Sequence, residues 1–158
     1  KYETIDQIDA AKYFADLEFI NKDRIGIKGW SYGGYMSSLA ITKGADIFKL
    51  AVAVAPVTNW RYYDNIYTER YMQTPQENEK GYDENSPINH VDKLKGKYLL
   101  IHGTADDNVH VQNTYEMTSA LVRANKQFDL FVYPDKNHGI YSRFHLYTKI
   151  TSFIEDNL

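Results

Sequence analysis

Six residues, Gly29-Trp30-Ser31-Tyr32-Gly33-Gly34, constrain this chain more than any other feature. They separate a strand-like run, Arg24-Ile25-Gly26-Ile27-Lys28, from a helical pattern that starts at Tyr32. A strand that runs into G-x-S-x-G and turns straight into a helix holds its serine in a strained backbone conformation, with the hydroxyl lifted clear of the sheet. Glycines flank the serine because side chains there would clash. The motif alone recurs by chance, so its meaning depends on the elements around it and on partners further along.

The remaining pattern alternates strand with helix. Thr4-Ile5-Asp6-Gln7 has the form of a capping box, and Ile5, Ile8, Ala11, Ala15 and Phe19 recur at helical spacing, which predicts an opening helix that Asn21-Lys22-Asp23 ends. A strand over 24–30 then feeds the turn, and a helix follows from Tyr32 to Lys43. Leu50-Ala51-Val52-Ala53-Val54-Ala55 is a continuous apolar run of the kind that parallel strands buried on both faces show. A long excursion from Pro56 to Lys95, rich in aromatics and charges, suits a pocket wall. Strands at 97–101 and 128–133, with helices over Val111–Asn125 and Ser142–Asn157, complete an expected set of four parallel strands flanked by helices.

Two polar loops follow the later strands. His102-Gly103-Thr104-Ala105-Asp106-Asp107-Asn108-Val109-His110 comes after the first, and Pro134-Asp135-Lys136-Asn137-His138-Gly139 after the second. Chain order serine, acid, histidine, each on the loop after a parallel strand, is the arrangement of the three-layer α/β-hydrolase fold. A serine hydroxyl is a poor nucleophile at neutral pH, so it needs a base within reach, and the base needs an anion to fix its tautomer. Ser31 and His138 fill two of these roles. His102 sits at a strand end, where a buried structural role is expected, His110 opens a helix and His145 falls inside one, whereas His138 follows the last strand. Asp106 and Asp107 compete for the third role, and Asp107 could instead cap the next helix or anchor the loop.

Bulk properties narrow the class. At 158 residues the chain has the size of one domain, and a formal charge of −3 without a basic stripe gives no electrostatic case for nucleic acid or an anionic membrane. Cysteine is absent, which excludes disulfides and thiolate chemistry. His102, Asp106, Asp107 and His110 match no zinc-ligand spacing, so neither a metal nor a cofactor is expected. No stretch has the apolar length of a membrane span, and no membrane contact is expected from this segment. Four strands make only part of an α/β-hydrolase sheet, and the strand over 24–30 should be central. A piece of a larger catalytic domain is therefore expected, with an open sheet edge that invites dimerisation.

The serine motif, then Tyr67-Thr68-Glu69-Arg70-Tyr71, then the block from His102 to His110 together resemble the dipeptidyl peptidase IV branch of the prolyl oligopeptidase family. The resemblance covers essentially the whole chain and maps it to the C-terminal part of the family's catalytic domain, without the earlier strands or the β-propeller. It implies Ser31 as nucleophile, Asp106 as triad acid, His138 as base and the Tyr32 backbone N–H as an oxyanion donor. It also implies that Val57, Trp60, Tyr63, Tyr67 and Val109 surround a proline-binding pocket, and that Arg70 and Asn108 orient the substrate carbonyl. The activity implied is removal of dipeptides from peptides with proline, or less readily alanine, in second position. A tripeptidyl peptidase and an acylaminoacyl hydrolase or esterase are the enzymatic alternatives, and a catalytically silent module the non-enzymatic one. The resemblance further suggests an extracytoplasmic location.

Overall fold

A computed structural model describes residues 1–158. Its four strands, β1 (Gly26–Trp30), β2 (Leu50–Val54), β3 (Lys97–Gly103) and β4 (Asp129–Tyr133), form one sheet in the order β1-β2-β3-β4, and every pairing is parallel. Parallel neighbours need crossovers. α2 (Tyr32–Lys43) supplies the first and α5 (Gln112–Arg123) the third, while the longer second crossover carries α3 (Asn65–Met72), α4 (Glu79–Glu84) and two 3-10 segments. α1 (Tyr2–Ala15) precedes the sheet and α6 (Arg143–Asn157) closes the chain.

The period of two along each strand sorts side chains to two cores. Ala51, Ala53, Tyr98 and Leu100 pack with Ala40 and Ile41 of α2 and with Met117 and Leu121 of α5. Leu50, Val52, Val54, Leu99 and Ile101 face the other way, against Leu146, Ile150 and Phe153 of α6. Burying each such Leu, Ile or Val is worth roughly 1.5 to 3 kcal/mol, which is why the middle strands read as unbroken apolar runs. Beside these residues the buried Ser38 hydroxyl pairs with the Tyr98 hydroxyl at 2.7 Å and contacts the Gly34 carbonyl at the same distance, so the inward polar groups of α2 are satisfied.

The opening helix departs from its expected form. It begins at Tyr2, so Thr4 lies inside the first turn with its hydroxyl buried and unpartnered, and no side chain caps the helix. The chain leaves the helix at Asp16, which puts Phe19 outside it and 82% exposed. Spacing alone extended the helix too far, because the packing against α2 that anchors it involves Ile8 and Ala11 and ends there. The excursion after β2 is also more ordered than its composition suggests: Asp64 and Asn78 accept backbone N–H groups and start α3 and α4.

Candidate active site

All three loops named from the sequence leave the C-terminal ends of parallel strands, β1, β3 and β4, on the edge of the sheet where α/β folds place their sites. Ser31 stands between β1 and α2 at φ 58° and ψ −117°, a backbone conformation that side chains rarely adopt. Its own N–H donates to the Val54 carbonyl at 2.8 Å and its carbonyl accepts from the Tyr35 N–H at 2.9 Å. The turn is thereby tied to β2 and to its own helix. Two of the glycines around it are a steric requirement, since a Cβ on Gly29 would lie 2.1 Å from the Gly33 carbonyl oxygen and one on Gly34 2.8 Å from that of Val54, whereas the expected clash is absent at Gly33, where a Cβ would meet nothing within 4 Å. Tyr32 is the first residue of α2, so its N–H has no carbonyl one turn back and is free to donate outward.

The structure separates the two competing acids. The Asp106 side chain is wholly buried, whereas Asp107 is exposed. Asp106 Oδ2 lies 2.8 Å from His138 Nδ1 and 3.2 Å from His102 Nε2, while Oδ1 accepts the N–H groups of Asn108 and Val109 at 3.0 and 2.9 Å. Burial pushes the Asp106 carboxyl up, but the hydrogen bonds from His102, His138 and the Asn108 N–H outweigh it and hold the group well below the usual carboxylate range. It is an anion at any working pH.

His138 is held from both sides. Its carbonyl accepts from the Trp30 indole N–H at 3.1 Å, beneath the Arg143 guanidinium 5.1 Å from the indole ring. The loop before it is pinned to the acid loop, since the Ala105 N–H donates to the Lys136 carbonyl at 3.0 Å and the Asp135 N–H to the Thr104 hydroxyl at 2.8 Å. With Nδ1 on Asp106, Nε2 is the ring nitrogen left uncommitted. The Ser31 hydroxyl makes no hydrogen bond to the imidazole in this structure; such contacts commonly tighten only when substrate binds.

Beside this group stands an aromatic wall. The Trp60 ring stacks on Tyr67 at 6.0 Å and meets Tyr35 and Tyr63 edge-on at 4.9 and 5.9 Å, and Tyr63 meets Tyr67 at 5.4 Å. Val57 and Val109 are buried with Trp60, Tyr35 and Leu39 in one apolar cluster. A cavity of about 410 Å³ is lined by Tyr32, Tyr35, Trp60, Tyr67, Tyr71 and Met72 among others. Tyr63 and Asn108 line a separate, more open hollow together with Asp64 and Asp107, and the Tyr63 hydroxyl donates to Asn108 Oδ1 at 2.6 Å. Burial, then the nearby Asp64, Tyr67 and Asp106, push the Tyr63 hydroxyl up, so it stays protonated and able to donate. Of the residues expected around one pocket, only Trp60 and Tyr67 line the cavity of about 410 Å³, with Val57 and Val109 buried behind the wall, and Arg70 stands apart, exposed at the end of α3 over the Tyr71 ring at 5.6 Å and not hydrogen-bonded to Asn108.

Sequence reasoning missed three contributors. Tyr35 belongs to the wall, four residues beyond Ser31 on α2, a spacing that places it one turn above that serine. Trp30 reaches the histidine loop, and His102 touches the acid. Trp30 had no sequence signal, because its partner lies on a distant loop, whereas His102 has the buried structural place expected of it and only its contact with Asp106 is new.

A parallel sheet with a left-handed serine at the end of one strand and a buried Asp–His pair on the following loops defines an α/β-hydrolase. The model of the prolyl oligopeptidase family matches residues 1–158, and the chain belongs to that family. It is 48% identical to prolyl endopeptidase FAP of Bos taurus and 46% identical to dipeptidyl peptidase 4 of Felis catus, over 98% of this chain and 21% of each relative. The crystal structure of Porphyromonas gingivalis dipeptidyl peptidase 4 superposes with a TM-score of 0.97 at 49% identity, over 99% of this chain and 23% of that one. The chain thus spans about a fifth of the length of the relatives it matches.

Proposed function

We propose that this chain is the C-terminal part of the catalytic domain of a serine peptidase that cleaves after proline, or less readily alanine, near the amino terminus of peptides. The observation that carries the reading is the buried Asp106 carboxylate gripping His138 Nδ1 on the loops next to the left-handed Ser31. In this reading Ser31 attacks the scissile carbonyl, His138 takes its proton and passes it to the departing amine, and water then hydrolyses the acyl-enzyme. Asp106 orients the imidazole and stabilises its cation. The Tyr32 N–H donates to the developing oxyanion.

The wall supports proline in the pocket. A pyrrolidine ring is compact and rigid, so flat rings such as Trp60, Tyr63 and Tyr67, backed by Val57 and Val109, enclose it at little entropic cost. Arg70 and Asn108 are assigned to the substrate carbonyl, which requires Arg70 to swing off Tyr71 when peptide arrives. The open side of β1 is assigned to further strands of the same domain, with pairing between two copies as the other occupant. No helix is long and apolar enough to cross a membrane, and an extracytoplasmic location is part of the proposal.

The deciding experiment uses the full-length gene product. Release of nitroaniline from Gly-Pro-p-nitroanilide is expected to exceed release from Ala-Ala-Pro-p-nitroanilide; the reverse order makes the enzyme a tripeptidyl peptidase. Release from neither, with simple esters still hydrolysed, moves the assignment to an esterase. A Ser31 that also fails to react with a fluorophosphonate makes the chain a silent module.

A further inference from the structure

We infer that His102 is a positioning residue for the proposed triad: its buried Nε2–H holds the carboxylate oxygen of Asp106 that His138 grips. The inference rests on the serine-peptidase reading and adds a residue that the triad scheme does not use. His102 ends β3 and its ring is 0% exposed. Nε2 lies 2.7 Å from the Val109 carbonyl, a group that can only accept, so the proton must sit on Nε2. The same N–H points to Asp106 Oδ2 at 3.2 Å. In the neutral ring Nδ1 is then the acceptor, and it takes the Thr114 hydroxyl at 2.7 Å. Both ring nitrogens are committed and the tautomer is fixed.

The consequence falls on the carboxylate. Oδ1 already accepts two backbone N–H groups, and Oδ2 is shared between His138 and His102. Rotation of the carboxyl group would leave a buried donor without a partner, which is costly. With His102 removed, Oδ2 keeps a single donor and the Val109 carbonyl is orphaned. Asp106 is then free to turn away from His138, although no atom that meets substrate has changed. The anchor extends further: Thr114 is adjacent to Asn113, whose side chain and carbonyl accept from the Thr58 N–H and hydroxyl at 2.9 and 2.7 Å. Buried hydrogen bonds on two neighbouring residues of α5 therefore hold the acid, through Thr114, and the backbone at Thr58, next to Val57, through Asn113.

The test compares His102→Phe, which keeps a ring but no donor, with His102→Gln, whose amide N–H reaches the Nε2 position, in the full-length gene product. The readouts are the second-order rate of fluorophosphonate labelling at Ser31, kcat per labelled site, KM for Gly-Pro-p-nitroanilide, and the low-field proton on His138 Nδ1. His102→Phe is expected to slow labelling and kcat at least tenfold with KM changed less than threefold and the low-field proton weakened. His102→Gln should recover to within about threefold of wild type. A merely structural role would reduce the number of labelled sites and leave the rate per site untouched, and that result overturns the inference. So does a glutamine variant no better than the phenylalanine one. If His102→Phe does not fold, histidine-selective nitrogen NMR of the wild type decides: a proton on Nε2 supports the assignment and a neutral ring protonated on Nδ1 overturns it. A wild-type protein that fails to label overturns the triad reading itself and the inference with it, whereas labelling at equal rates in wild type and His102→Phe overturns only the inference.

Discussion

The loop that carries Asp106 and the wall around Trp60 meet at the Tyr63–Asn108 hydrogen bond and are built on opposite plans. In the acid loop every acceptor of a fully buried carboxylate is matched by a donor from a different direction. In the wall, rings touch edge to face or, for Trp60 and Tyr67, stacked, with Tyr32, Tyr67 and Tyr71 each at least 40% exposed. Hydrogen bonds are directional and costly to leave unmade when buried, while apolar contact is neither. The first plan suits a group whose orientation sets a proton's position. The second suits, on the proposed function, a surface that closes on a small rigid ring and lets go of it.

If the two plans differ in this way, removing a member of the acid loop should damage turnover far more than it damages binding. Asp106→Asn is the sharpest case. The asparagine would present an N–H toward His138 and favour the wrong tautomer, so kcat should fall by about four powers of ten with little change in KM. Stability should change as well, with a definite pH dependence. The Asp106 carboxyl titrates below its unfolded value of about 4, so the stability it contributes is full above that pH and is lost as pH falls through its folded value. The gap in melting temperature between wild type and Asp106→Asn should therefore narrow as pH is lowered below about 4, and a gap that widens would break the comparison.

The wall predicts the converse. Trp60→Ala removes the ring that contacts Tyr35, Tyr63 and Tyr67, and should cost about 3 to 5 kcal/mol of stability, as for other buried aromatic truncations. Its catalytic effect should appear mainly in KM for prolyl substrates, and much less in turnover of simple esters. Equal losses on both substrate types would mean that the wall is core alone. Tyr63→Phe sits at the junction and keeps the ring while deleting the hydroxyl that donates to Asn108. A single hydrogen bond of this kind is worth about 1 kcal/mol, so kcat/KM for Gly-Pro-p-nitroanilide should fall roughly fivefold.

The same contrast explains what could be read from the sequence. Strand runs such as Leu50–Val54 were legible because burial on both faces leaves an apolar signature, and Ser31 because its turn forces glycines around it. The choice between the candidate acids could not be made from local pattern: Asp106 and Asp107 are chemically identical neighbours, and only the fold buries one and exposes the other. The helix start at Tyr2 was misread from Thr4 because a capping box is a local preference that packing by Ile8 and Ala11 overrode. Trp30 was invisible as a contributor for a related reason, since its partner His138 is 108 residues away and no spacing rule links them. Interactions of the wall's kind leave a trace in composition, whereas those of the acid loop leave almost none.

The smallest effect is expected at the outer edge of the wall, where a hydrogen-bonded ion pair stands in solvent. Arg61 meets Asp83 at 2.7 Å, with side chains 30% and 51% exposed, and the guanidinium also lies over the Tyr82 ring at 5.3 Å. Its length matches the hydrogen bonds around Asp106, so geometry alone would rank the two alike. Solvent makes the difference: an exposed pair contributes about 0.2 to 1 kcal/mol because water screens it and replaces either partner when one is lost. Asp83→Asn should therefore lower the melting temperature only slightly and leave kcat and KM for Gly-Pro-p-nitroanilide within twofold. A loss comparable to that of Tyr63→Phe would show that the rigidity of the acid loop extends through α4 to the protein surface. The opposition between a fixed acid and a yielding wall would then have to be redrawn with Arg61 on the fixed side.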